Sequence, residues 1–176
     1  MRVIAGVYGG RRLHAPPGPD TRPTSDRVRE ALFSVLGDLT GARVLDLFAG
    51  TGALGIEALS RGAASCDFVD RAHPAITVIR RNLTELGIDA PVHRRDATQA
   101  LNDASGRAAA YDLVFLDPPY RHPPELGRAL SEALPAVLAA GARVVTESDR
   151  RSALALDLPL TFERRYGDTL IRIHDA

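Results

Sequence analysis

Arg43-Val44-Leu45-Asp46-Leu47-Phe48-Ala49-Gly50-Thr51-Gly52-Ala53-Leu54-Gly55 carries the decisive pattern of this 176-residue chain. An apolar run of strand length passes without a break into three glycines at G-x-G-x-x-G spacing, and the residues after them suit a helix. Glycine in such a turn permits positive φ and lets a ligand approach the backbone closely. The spacing predicts a strand over 43–48 and a helix over 53–61, the opening of a βαβ unit. The alternation continues outward. Residues 65–70 read as a second strand ending in Asp70, near the ~20-residue spacing of a ribose-hydroxyl ligand. Pro74 opens a helix with Ile76, Ile79, Leu83 and Leu86 as its stripe and Gly87 as its stop. A short strand over 91–94 precedes Asp96-Ala97, where a simple helix cap is one reading, and residues 103–110 read as a loop of small residues. Tyr111-Asp112-Leu113-Val114-Phe115-Leu116 reads as a buried parallel strand. A helix over 125–139 presents Leu126, Leu130, Leu134, Val137 and Leu138, and 143–146 is a fifth strand. The tail from Leu158 to Ile173 reads as two strands around Tyr166-Gly167-Asp168. The fold expected is α/β: a Rossmann-like, mostly parallel sheet of seven strands with a C-terminal antiparallel hairpin. Ligands of such sheets bind outside the carboxyl ends of the strands, and Gly50, Asp70, Asp96 and Asp117 all fall there.

The fourth strand ends in Asp117-Pro118-Pro119-Tyr120. An exocyclic base amine is a poor nucleophile because its lone pair is delocalised into the ring. An acceptor on each N–H draws the nitrogen towards a tetrahedral shape. The Asp117 carboxylate can be one acceptor and the Pro118 carbonyl the other. Two prolines fix φ near −65° and remove two backbone donors, so the turn is stiff and rich in acceptors. Tyr120 can stack on an extruded base. These residues suit methylation of a base amine.

Glycine loops of this kind serve NAD, FAD and S-adenosylmethionine. Asp46 lies inside the strand, where a carboxylate suits the cationic methionine end of S-adenosylmethionine and repels a pyrophosphate. A dinucleotide enzyme also has no need of D-P-P-Y. The five histidines (His14, His73, His93, His122 and His174) lack metal-ligand spacing, so no metal is expected. His122 reads as a surface loop residue, with substrate contact the less favoured alternative.

Asp46-x-Phe48-Ala49-Gly50-Thr51-Gly52 and Asp117-Pro118-Pro119-Tyr120 resemble the motifs of class I S-adenosylmethionine-dependent amino-methyltransferases. Arg2-Val3-Ile4-Ala5-Gly6, Gly10-Arg11-Arg12-Leu13 and the run from Arg22-Pro23-Thr24-Ser25 to Leu32-Phe33 are similar to the RsmD family. That resemblance implies transfer of a methyl group from S-adenosylmethionine to N2 of one guanine in bacterial 16S rRNA, within the small ribosomal subunit or an assembly intermediate. It implies that Asp117, Pro118 and Tyr120 do the chemistry. Asp46, Phe48, Ala49, Gly50, Thr51, Gly52, Asp70, Arg71, Asp96 and Ala97 then hold the cofactor, with Asp96 accepting from the adenine amine. Two rivals stand beside it: a DNA adenine-N6 or cytosine-N4 amino-methyltransferase, and a non-catalytic S-adenosylmethionine- and RNA-binding protein. A dehydrogenase is more distant.

Charge and length fit one soluble enzyme. Hydrophobic residues make up 45%, and 22 Lys+Arg balance 22 Asp+Glu, which argues against a generally sticky nucleic-acid binder. The distribution is uneven: residues 1–29 hold Arg2, Arg11, Arg12, Arg22, Arg27 and Arg29 against Asp20 and Asp26. Arginine pairs with phosphate in bidentate fashion, and Arg2, Arg11, Arg12, Arg22 and Arg27 are the candidate RNA contacts. Residues 3–8 and 11–14 read as a β-hairpin turning at Gly9-Gly10. The stiff Pro16-Pro17-Gly18-Pro19 then separates an arm (1–20) from the methyltransferase domain (21–176). Thr24 or Ser25 caps a helix whose face holds Val28, Leu32, Val35 and Leu36, ending near Gly37. No run spans a bilayer, no signal-peptide core opens the chain, and Cys66 has no partner. A monomer in the cytoplasm is expected.

Overall fold

The computed structural model describes residues 1–16, 25–119, 122–149 and 151–176. The elements are α1 (Asp26–Leu36), β1 (Arg43–Leu47), α2 (Ala53–Ser60), β2 (Ser65–Asp70), α3 (His73–Leu86), β3 (Val92–Arg94), α4 (Ala97–Gly106), β4 (Tyr111–Leu116), α5 (Leu126–Ala133), β5 (Leu138–Asp149), β6 (Leu160–Tyr166) and β7 (Thr169–Asp175). One seven-stranded sheet has the order β3-β2-β1-β4-β5-β7-β6. β1 to β5 pair in parallel, while β7 runs antiparallel to both β5 and β6. The chain reverses its direction of winding between β1 and β4, so the carboxyl ends of these two strands flank the crevice where such sheets bind ligands.

Alternation along the strands builds a core on each face. Val44, Phe68, Leu113, Phe115 and Val145 pack under α1, α2 and α3. Leu45, Leu47, Val114, Leu116 and Val144 pack under α4 and α5. No helix among the described residues is long and apolar enough to cross a membrane.

Four details depart from the sequence reading. The arm does run antiparallel, but as a single bridge, Arg2↔Arg12, around a knuckle of turns instead of a ladder. Val3 N, Gly10 N and Leu13 N still bond across the arm, to Arg11 O, Val3 O and Met1 O, but the donors between are diverted to α2: Glu57 accepts from Ile4 N at 2.7 Å and Ala5 N at 3.1 Å, and Val7 N donates to Ser60 O at 2.9 Å. In α1 the inner face is Val28, Arg29, Leu32, Phe33 and Leu36, whereas Val35 is 40% exposed. Ser25 is the cap, its Oγ accepting from Val28 N; Thr24 lies outside the described residues. Half of 103–110 belongs to α4, which ends at Gly106 and buries Ala97, Ala100, Leu101 and Ala104 at helical spacing behind the Asp96 cap. The helix expected over 125–139 stops at Ala133; a 3₁₀ turn at Leu134–Val137 follows, and Leu138 already pairs with Tyr111, so β5 is far longer than 143–146. Pro135 lacks the N–H that a continuing helix uses.

Candidate active site

The glycine turn is fixed from several sides. Phe48, Gly50 and Gly52 all have positive φ, at 62°, 56° and 77°. Two glycines reach that region freely; Phe48 is held there at a cost of order 1–3 kcal/mol, the kind of strain that collects at ligand sites. Ala49 N donates to Val69 O at 2.9 Å. Gly50 N donates to Asp70 Oδ2 at 2.9 Å, and Asp70 Oδ1 accepts from Ala72 N at 2.8 Å. Asp46 Oδ2 accepts from Gly55 N at 3.0 Å, so the strand carboxylate anchors the first turn of α2. Gly55 is a packing position: a Cβ there would sit 2.4 Å from the Phe68 ring.

Beside this turn opens a cleft of about 120 Å³. Phe48, Asp70, Arg71, Asp96 and Ala97, all candidate cofactor residues, line it. Asp46, Ala49, Gly50, Thr51 and Gly52 are not on its wall. Asp46 and Ala49 are buried beneath it, and Thr51 faces the arm, accepting from Asn82 Nδ2 and donating to Met1 Sδ. Val69, Arg95, Pro123 and Leu126 also line the cleft, and the sequence reading assigned none of these four to a site. His122 does belong to the wall, together with Pro119. Its two-residue distance from Tyr120 was the one available signal.

The acids differ in their state. Asp96 caps α4, its Oδ1 accepting from Thr98 Oγ1 at 2.6 Å and Thr98 N at 3.0 Å. The Thr98 hydroxyl holds this carboxyl below its ordinary range. Burial pushes Asp46 up to about 7, opposed by the Gly55 N–H and reinforced by the charge of Asp70. Asp117 lies one residue beyond Leu116, which pairs with Leu47 on β1, and so adjoins the Phe48 turn. Its carboxyl is pushed well above the usual value by burial, then by Glu147 and Asp46. No hydrogen bond among the described residues engages it. Pro118 is buried and Pro119 exposed; Tyr120 lies outside the described residues.

The arginines separate into two groups. Arg2, Arg11, Arg12 and Arg27 are at the surface, with Arg2 3.4 Å from Asp26 and Arg11 donating to Glu85 O. Arg29 is fully buried, donating to Asp26 Oδ1 and Arg2 O, and braces the arm against α1. Arg22 lies outside the described residues.

A parallel Rossmann-like sheet with an antiparallel strand inserted beside its fifth strand, a glycine turn after β1 and an acid-proline turn after β4 define the class I methyltransferase fold. Residues 1–175 match the family model described as "Conserved hypothetical protein 95". The chain is 43% identical to "Putative rRNA methyltransferase YlbH" of Bacillus subtilis, over 99% of this chain and 98% of that protein. It is 39% identical to "Ribosomal RNA small subunit methyltransferase D" of Escherichia coli K12, over 69% of this chain and 61% of that relative. A solved structure from Thermus thermophilus, "hypothetical protein TTHA0928", superposes with a TM-score of 0.86 at 28% identity, covering 100% of this chain and 99% of that one. The chain belongs to the RsmD family.

Proposed function

We propose that this protein transfers a methyl group from S-adenosylmethionine to the N2 amine of a guanine in small-subunit rRNA. The observation that carries this reading is the Asp117-Pro118 turn at the end of β4, set beside the glycine turn of β1 at the sheet's switch point. The cleft suits an adenosine: Phe48, Val69 and Ala97 give apolar walls, and Asp70 and Asp96 give acceptors at its rim. When bound, S-adenosylmethionine supplies an electrophilic methyl carbon on a sulfonium, an excellent leaving group. The protein's work is therefore chiefly positioning.

Asp96 stays ionised and can accept from the adenine amine. Asp70 can accept from ribose hydroxyls with the lone pairs left after its two backbone bonds. Asp46 faces the methionine end. Asp117 and the Pro118 carbonyl accept from the guanine N2 amine, and Tyr120 stacks on the ring. The amine becomes acidic once methylated, and a carboxylate with a raised pKa is then a fitting proton acceptor. The arm, residues 1–20, grips RNA phosphates through Arg2, Arg11 and Arg12, with Arg22 just beyond it and Arg27 on α1 adding to the same grip. Support for the arm comes from its clamp: Glu57, Ser60 and Asn82 fix its backbone while the side chains of Arg2, Arg11 and Arg12 stay at the surface.

The test is methyl transfer from labelled S-adenosylmethionine to naked DNA, free small-subunit rRNA and assembled small subunits, with mass mapping of the product nucleoside. N2-methylguanosine in rRNA is expected. N6-methyladenine or N4-methylcytosine in DNA would establish the rival amino-methyltransferase, and tight cofactor binding with no transfer would establish a binding protein.

A further inference from the structure

We infer that Glu147 accepts from the N1–H of the target guanine and thereby sets guanine over adenine. This rests on the guanine-N2 reading and names what selects the base. The Asp117-Pro118 pair alone treats every exocyclic amine alike, so something else in the pocket must discriminate. β5 lies beside β4, with Phe115 opposite Val145 and Leu116 opposite Thr146. Glu147 is the next position on β5, and Asp117 is the first residue past the end of β4. Phe115 and Val145 point into the same core, and strand alternation sends residues 117 and 147 to that same face. The register with β7 agrees, because Glu147 stands opposite Ile171, a member of that core.

Glu147 is 5% exposed. Its charge is the next cause after burial in lifting the Asp117 carboxyl, so the two acids sense each other in a medium of low polarity. Two adjacent carboxyl groups complement guanine, whose N1–H and N2 amine are neighbouring donors on one edge of the ring. Adenine carries a lone pair at N1. It would meet the Glu147 oxygen with no proton between them, and two acceptor lone pairs facing each other repel.

The experiment compares two acceptor bases in rRNA assembled by ligation, at the position found by mass mapping. Guanine is one; 2,6-diaminopurine, which keeps the N2 amine but has an acceptor at N1, is the other. Wild type is expected to favour guanine by roughly 10–100-fold in kcat/KM, the range for one hydrogen bond to a charged group. Glu147→Gln presents an amide N–H to the N1 acceptor. It should lower transfer to guanine and bring the ratio to about one or below. Both rates come from one preparation, so any loss of folded protein cancels. An unchanged ratio, with both rates falling together, overturns the inference. A wild-type product other than N2-methylguanosine removes the reading beneath it, and the product nucleoside tells these two failures apart.

Discussion

Replacing Asp46 with Asn should stabilise the ligand-free protein, and by more at high pH than at low. Asp46 is 1% exposed, and its carboxyl is lifted from 3.8 to about 7, mainly by burial. A raised carboxyl pKa means that the folded state prefers the protonated form. Its stabilising contribution is complete below the unfolded pKa and is lost as pH rises through the folded pKa. At 1.36 kcal/mol per pH unit, the displacement from 3.8 to about 7 corresponds to roughly 4 kcal/mol of destabilisation above pH 7. Between about pH 5.5 and about pH 8 the folded protein gives up this proton while the unfolded chain is ionised throughout, so roughly 2 kcal/mol of that loss falls within the window. The amide that replaces the carboxyl keeps an acceptor for Gly55 N and cannot ionise. Urea denaturation of both proteins at the two pH values should therefore give a stability gap that widens by about 2 kcal/mol towards high pH. Cofactor titration should move the other way. The Asp46→Asn protein should bind S-adenosylmethionine about tenfold more weakly at the higher pH, because the cationic methionine end loses its carboxylate. A gap that stays constant with pH, or narrows, would refute the buried-acid account.

Asp117→Ala should lower kcat by roughly 10²–10⁴-fold while cofactor affinity by calorimetric titration changes little; equal loss of both would count against its role. Glu57→Ala strands the N–H groups of Ile4 and Ala5 together with the Arg61 Nε, 2.7 Å away, and should cost roughly 3–5 kcal/mol in denaturant. Gly6→Ala places a Cβ 1.7 Å from Ser60 O at a φ of +79°, so the knuckle must lift from α2. Expected are a cost of roughly 1–3 kcal/mol, fast hydrogen exchange at the Val7 amide and weaker RNA binding in gel shift, with cofactor affinity kept.

The sheet was legible because its signals are local. Each parallel strand is a short apolar run, each crossover begins at a glycine, proline or capping residue, and the acids that matter sit where those runs stop. The start of α4 was open as a cap at Asp96, but its run to Gly106 escaped because its buried face is Ala97, Ala100 and Ala104 with Leu101 alone, too small a stripe to register as amphipathic. The first half of β5 escaped because Leu138 and Ala139 suit a helix, and only pairing with Tyr111 pulls them into the sheet. The arm's attachment could not be read at all. Its contacts to Glu57, Ser60 and Asn82 join residues 52 to 68 positions apart, and no pattern within the arm announces the carboxylate that will hold it. Within the site, the sequence supplied the identities of the acids but not their states, since those are set by neighbours from other strands.

Those states divide the site's labour. The Thr98 hydroxyl holds the Asp96 carboxyl at the rim below its ordinary range, which suits the part proposed for it as an acceptor for an adenine amine. Asp46 and Asp117 on the floor are pushed the other way by burial, and the charge of Asp46 lifts Asp117 further. Their negative charge is costly in the empty protein. On the proposed reading, a sulfonium over Asp46 and an amine against Asp117 would favour the ionised forms, and the floor would gain its charge as the reactants arrive. Each acid would then be relieved by its own reactant, Asp46 by the methyl donor and Asp117 by the acceptor. With those acids at the ends of neighbouring strands, one sheet edge would on that reading both assemble the reactants and accept the proton that leaves.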